Sequence, residues 1–165
     1  MRPPFLLDFC ASIESTSLSN WIQSQSWVIP TFQTIHLLGI SAVLISILMI
    51  NLRILGIGLK DHPLIFVLSR FTPVINLALI FLVMSGLVMI IGEPARSLAN
   101  SAFQFKMLCL LIVLFIMMII SKAMSEDSQY WQKSNKRQFN LKLLALISLA
   151  LWVSIVFAGR WIAYT

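Results

Sequence analysis

Apolar residues fall into four long blocks separated by short polar stretches. Val28–Ile50 and residues 71–91 contain no Asp, Glu, Lys or Arg, and residues 103–124 and 141–164 carry two basic residues each. A helix needs about 20 mostly apolar residues to cross the hydrocarbon of a bilayer, and each block is long enough. Leu108–Ile120 is apolar on every face. A barrel strand would alternate apolar and polar positions, so a closed β-barrel is excluded.

Polar punctuation sets the boundaries. Pro30 suits a first helical turn, and Asn51 and Arg53 mark the exit of a first span over about 28–55. Gly56, Gly58 and Lys60-Asp61-His62-Pro63 make a turn, and Leu64–Leu68 leads through Arg70 into a second span over 71–91. Gly92-Glu93-Pro94 stops it, and residues 93–102 form a polar connection to a third span over 103–124. The longest polar stretch, Ser125–Asn140, precedes a fourth span over 141–164. Residues 1–26 mix Phe5, Leu6, Phe9, Ile13, Leu18, Trp21 and Ile22 with Ser, Asn and Gln in helical clusters, with Ser17 as a candidate cap. That pattern predicts one or two short helices in the membrane interface. The prediction is therefore all-α: a four-helix transmembrane bundle with an interfacial amphipathic N-terminal segment, one integral membrane domain over residues 1–165.

Composition agrees. The chain is 59% hydrophobic and 11% charged, against about a quarter charged in a soluble domain. Its net charge of +6 would suggest nucleic acid in a soluble protein, but here the basic residues fit short loops, and no nucleic-acid partner is expected. Arg2, Arg96, Lys106 and Arg160 fall on one side of the membrane. Arg53, Lys60, Arg70, Lys122, Lys133, Lys136, Arg137 and Lys142 fall on the other. Positive charge favours the cytoplasm, so this eight-to-four split puts both termini on the outer, periplasmic side. Trp27, Trp161 and Tyr164 would line the outer interface. Phe5–Ala11 is short and broken by Asp8, so no cleaved leader is expected. Cys10 and Cys109 are poorly placed for a disulfide, and no zinc-ligand spacing occurs.

Against this background His36 stands out as the one histidine inside a span. An ionisable group there is expensive and marks a functional candidate. It lies nine residues after Trp27, about 13 Å along the axis, in the outer half of the membrane. Phe32, His36, Gly39, Val43, Ser46, Ile50 and Arg53 share one stripe, which predicts that this small and polar side faces the bundle. Gly39 would admit a neighbouring helix or a flat ligand. His36 is then either a neutral histidine bonded to a Ser, Asn or carbonyl next door, a haem or metal ligand, or a proton-handling group.

Gln33, Glu93, Arg96, Lys106 and Arg160 gather at the same depth in this topology. Glu93 has Arg96, Lys106 or Arg160 as partners. Lys106 and Arg160 either snorkel to head groups or form an anion site for haem propionates, quinone oxygens or a lipid phosphate. For haem b, His62 is at the wrong side to be the second ligand, which leaves Met89 or Met107. A copper set of His36, Met107 and Cys109 is weaker, because residues 107 and 109 point to different sides of a helix. Asn76, Ser85, Ser148 and Ser154 are expected to make interhelical hydrogen bonds. No nucleophile–base set or nucleotide-binding loop is visible, so an enzyme is not expected.

Several strings resemble a domain-of-unknown-function family of small four-helix bacterial inner-membrane proteins. They are Trp27-Val28-Ile29-Pro30, His36-Leu37-Leu38-Gly39-Ile40, Asn51-Leu52-Arg53-Ile54-Leu55-Gly56, Phe105-Lys106-Met107 and Ala158-Gly159-Arg160-Trp161-Ile162-Ala163-Tyr164. The likeness runs from about residue 17 onward and implies a bacterial inner-membrane location but no activity. A looser architectural likeness joins the chain to four-helix b-type cytochromes and copper-resistance membrane proteins. The function expected is binding of a haem-like or other hydrophobic cofactor, or a partner, at the outer leaflet around His36. The alternatives are a small proton-coupled transporter or permeation helper, and a structural subunit of a larger membrane complex or homo-oligomer.

Overall fold

A computed structural model describes residues 4–98, 100–126 and 134–161. Those residues are helical apart from short turns, and none of them is in a strand. The order is α1 (Pro4–Glu14), α2 (Ser17–Ser24), α3 (Val28–Leu55), α4 (Leu64–Gly92), α5 (Pro94–Leu98), α6 (Ser101–Glu126) and α7 (Asn135–Trp161). Four of these, α3, α4, α6 and α7, are long and apolar enough to cross a membrane, which makes the chain a multi-pass membrane protein with a four-helix bundle. The sequence expectation for Asp127, Lys133 and Tyr164, and for the Trp161 side chain, falls outside the described residues.

Local chemistry explains where the helices begin and end. Thr16, rather than Ser17, caps α2: its hydroxyl accepts from the Ser19 N–H. At the end of α3, Gly56 takes the left-handed conformation, φ 74°, and the Gly56 and Ile57 N–H groups bond the Arg53 and Leu52 carbonyls. Arg53 Nε donates to the His62 carbonyl and ties down the turn that follows. α4 starts at Leu64, before the expected span, because Pro63 sets an extended residue directly ahead of it. Its interior Pro73 is tolerated within the helix. The 93–102 connection contains α5, and the Asn100 side chain accepts from the Ala102 N–H where α6 begins. α7 starts at Asn135, ahead of its apolar span, as a polar extension in which Lys136, Arg137 and Gln138 are good helix formers.

The helices run antiparallel, so α3 and α6 start, and α4 and α7 end, at the end of the bundle that carries α1 and α2. α3 is the central element and packs most extensively on α4, and also on α7. α6 packs on α7. The fourth side, between α4 and α6, has no comparable packing. The core joins Val43, Ile47, Ile50 and Ile54 of α3 to Val67, Ile75 and Ala78 of α4, Val113 and Ile120 of α6, and Ala145 and Trp152 of α7. α2 locks onto the end of α4, where Ser19 Oγ donates to Ile91 O at 2.7 Å and Gln23 Nε2 to Gly92 O at 2.9 Å. These are carbonyls that a helix end leaves without intrahelical donors. Gly92 is needed for this fit: a Cβ there would lie 2.7 Å from Ile29 Cδ1 and 3.0 Å from Ile22 Cγ2.

Candidate functional site

The α3 stripe turns inward as its composition predicts. Gly39, Val43, Ser46 and Ile50 are buried, and Phe32, His36 and Arg53 are half-buried. The Gly39 position is filled by a neighbouring helix, since an added Cβ would meet Leu82 of α4 at 3.0 Å. One turn towards the α1–α2 end, the His36 ring lies against α4. Its Nδ1 is 2.9 Å from Ser85 Oγ, and its Cε1 would be 3.6 Å from a Cβ at Gly86.

The Ser85 hydroxyl has the His36 ring and the Phe81 and Leu82 carbonyls within reach. It has one hydrogen, and its oxygen is 2.6 Å from the Phe81 carbonyl, which is one place for that hydrogen. In the tautomer that matches this placement the Ser85 oxygen accepts from His36 Nδ1–H; in the other, the serine donates to Nδ1. The first tautomer leaves Nε2 with a lone pair, and among the described residues Nε2 bonds to nothing. The serine neighbour that the residue types allowed for His36 is Ser85 of α4.

Lys106 comes from α6 and reaches α7. Its Nζ would lie 3.8 Å from a Cβ at Gly159 of α7, and its charge acts on His36. It is half-buried and makes no hydrogen bond or ion pair with the described residues. α3, α4, α6 and α7 therefore all contribute at this level, with two polar atoms left over: Nε2 of His36 and the cationic Nζ of Lys106. An open groove of about 640 Å³ lies between α6 and α7, lined by Ala102, Phe105, Ser154, Phe157 and Ala158 among others.

The remaining candidates are placed less centrally. Glu93 takes Arg96 as its partner, 3.0 Å away at the mouth of α5, and both are largely exposed. Gln33 is exposed and bonds to no described residue. Arg160 is exposed at the end of α7, beside Gly159, and is engaged in an interaction of its own. His62 is in the turn at the opposite end of α3, stacked on Phe66 with ring centroids 5.0 Å apart. No group of three His, Cys, Asp or Glu side chains suited to a metal occurs among the described residues. Cys109 is sealed in the core while Met107 is 40% exposed, as their different faces require.

A second polar cluster escapes the sequence reading. Asn51, expected at the exit of the first span, is fully buried, and its Nδ2 donates to Ser148 Oγ at 3.0 Å across α3 and α7. Asn51 Oδ1 and Trp152 Nε1, an acceptor and a donor, are buried without a protein partner. The available signal was the spacing of Asn51 from Ile47 and Ile54, which puts it on the buried face. Of the other expected bridging groups, Ser85 and Ser148 do bridge helices. Ser154 bonds its own helix at Ala150 O, and Asn76 faces outward.

No curated protein and no solved structure matches this chain. The family of unknown function DUF6644 matches residues 12–165, which take in α2 to α7 together with His36, Ser85 and Lys106, and the chain belongs to that family.

Proposed function

We propose that the protein binds an amphiphilic ligand, a hydrophobic body with an oxygen-bearing head, in the half of the membrane next to α1 and α2. His36 Nε2 accepts a hydrogen bond from the head or bonds its metal, and Lys106 Nζ neutralises an acidic oxygen. The observation that carries this reading is the 2.9 Å contact of His36 Nδ1 with Ser85 Oγ, which has the Phe81 carbonyl 2.6 Å away for its hydrogen; with Nδ1–H as the donor, Nε2 is the acceptor offered to the ligand. A ring whose other N–H is anchored in this way is how proteins orient a histidine ligand. A haem would be held by His36 as iron ligand and by Lys106 at a carboxylate, and a lipid- or quinol-like molecule would use the same two groups. The basic-residue count supports the outer side of a bacterial inner membrane for this half.

The test is to purify the protein in mild detergent and record its absorption spectrum, its metal content and the amphiphiles extracted with it. His36→Ala and Lys106→Met are carried alongside. A Soret band lost in His36→Ala identifies haem. A colourless protein that retains one amphiphile, released by either substitution, identifies the lipid-like class. A protein without chromophore, metal or retained amphiphile overturns the reading.

A further inference from the structure

Of the four spans, α4 is the least covered by its own chain. One face, through Ile75, Ala78, Leu82 and Ser85, packs on α3. On the opposite face Ser69, Pro73, Asn76, Ile80, Val83 and Leu87 are all exposed. Val74, Leu77, Phe81 and Met84 beside them are exposed as well. The first six lie at steps of four, three, four, three and four residues, the positions, or seam, by which one helix face meets a neighbour in a left-handed pair. An apolar seam alone would be satisfied by lipid, because acyl chains are as apolar as leucine.

Asn76 is not satisfied by lipid. It lies 12 residues after Leu64 and 16 before Gly92, so it sits about 18 Å and about 24 Å from the helix ends, deep in the hydrocarbon. Its side chain is exposed and makes no hydrogen bond with any described residue. A carboxamide left there without a partner is costly. One turn earlier on the same seam, Pro73 lacks an N–H and leaves the Ser69 carbonyl without its helical donor. Freed groups of this kind in membranes are satisfied by neighbouring helices.

A carboxamide is its own complement, with N–H donors and a carbonyl acceptor. Two copies of one chain in one membrane carry α4 in the same direction, and a two-fold axis along the membrane normal brings each seam residue opposite itself. A different partner would need a matching polar group at this depth, whereas a second copy supplies one by symmetry. We propose that the protein forms a parallel two-fold dimer through the outward seam of α4, with Asn76 of each copy hydrogen-bonded to Asn76 of the other at its centre. A lone polar residue at one seam position fixes register and partner number in water-soluble helix pairs, and Asn76 has that role here.

Oxidative cross-linking of the full-length protein in native membranes tests this. The background carries Cys10→Ala and Cys109→Ala, and single cysteines are introduced as Ile80→Cys, Val83→Cys, or as lateral controls Leu111→Cys and Phe115→Cys on α6. Covalent dimers are expected from the two seam positions and only the collisional level from α6. Adding Asn76→Val should weaken association about tenfold, and Asn76→Gln should retain most of it. Equal cross-linking on α4 and α6, adducts of a mass other than twice the chain, or association indifferent to Asn76→Val overturns the proposal. If the cysteine-free background fails to fold, energy transfer between fluorescent fusions of the wild type and of Asn76→Val reads the same difference, and no transfer in the wild type rejects the dimer.

Discussion

Asn51 and His36 lie four turns apart on α3, and both are hydrogen-bonded to a serine on a neighbouring helix. They differ in what is left over. Asn51 is 0% exposed, its serine is equally sealed, and the bare Oδ1 faces only protein. His36 is half-buried, with its ring against Ser85 and Gly86 of α4. A spare valence sealed in a core is a cost to stability. The same valence on a half-buried ring, in the field of an unbonded lysine, is a means of recognition. On the proposed reading, the contact of this helix to α7 serves the fold, and its contact to α4 serves a ligand.

The most forceful way to break the comparison is Gly39→Leu. Gly39 lies between the two polar groups, and its missing side chain is the space occupied by Leu82. Overpacking should cost about 1–3 kcal/mol, read from thermal unfolding in detergent or nanodiscs. Because it forces α3 from α4 and not from α7, the bound amphiphile should be lost as well. A variant that loses stability but holds its ligand would detach His36 from the site.

Ser85→Ala comes next. It removes the oxygen bonded to Nδ1, so the ring can rotate or exchange tautomers. Ligand affinity should fall roughly tenfold, the lower end of what losing such a support costs, with little change in unfolding. Asn51→Leu should do the reverse. It should lower stability by about 1 kcal/mol, the scale of interhelical hydrogen bonds in membranes, and leave ligand affinity unchanged. If both substitutions move the same observable, the two contacts do not have separate roles.

The sequence makes the difference between these regions only half legible. The four spans are plain because 20-residue apolar blocks have few other readings in water or lipid. The inward stripe through His36 and Gly39 is plain because helical spacing puts those residues on one face. Which partner each polar group takes is not, since it depends on helix rotation and register. Asn51 looked like an exit marker because a polar residue followed by Arg53 resembles a boundary; only the contact with Ser148 draws it into the core. Asn76 looked like a bridging group and faces outward, because α4 turns Ile75 and Ala78 to α3. Glu93, by contrast, takes the nearest in sequence of its three candidate cations, Arg96 at i+3.

That choice supports the smallest prediction. Glu93 and Arg96 gather with Lys106 and Arg160 on topology alone, and a site that used them would extend from His36 out to α5. The structure pairs the two with each other at 3.0 Å, three residues apart and largely in the open. Exposed pairs of this kind contribute between nothing and about 1 kcal/mol, because solvent screens them and two long side chains must be held in place. Glu93→Gln should therefore change unfolding by less than about 0.5 kcal/mol and leave ligand retention where it was. A measurable loss of ligand would mean that the carboxylate orients Arg96 towards the head group. The binding region would then be the whole end of the bundle, and the contrast between Asn51 and His36 would reflect distance from that end more than the packing of one helix against two neighbours.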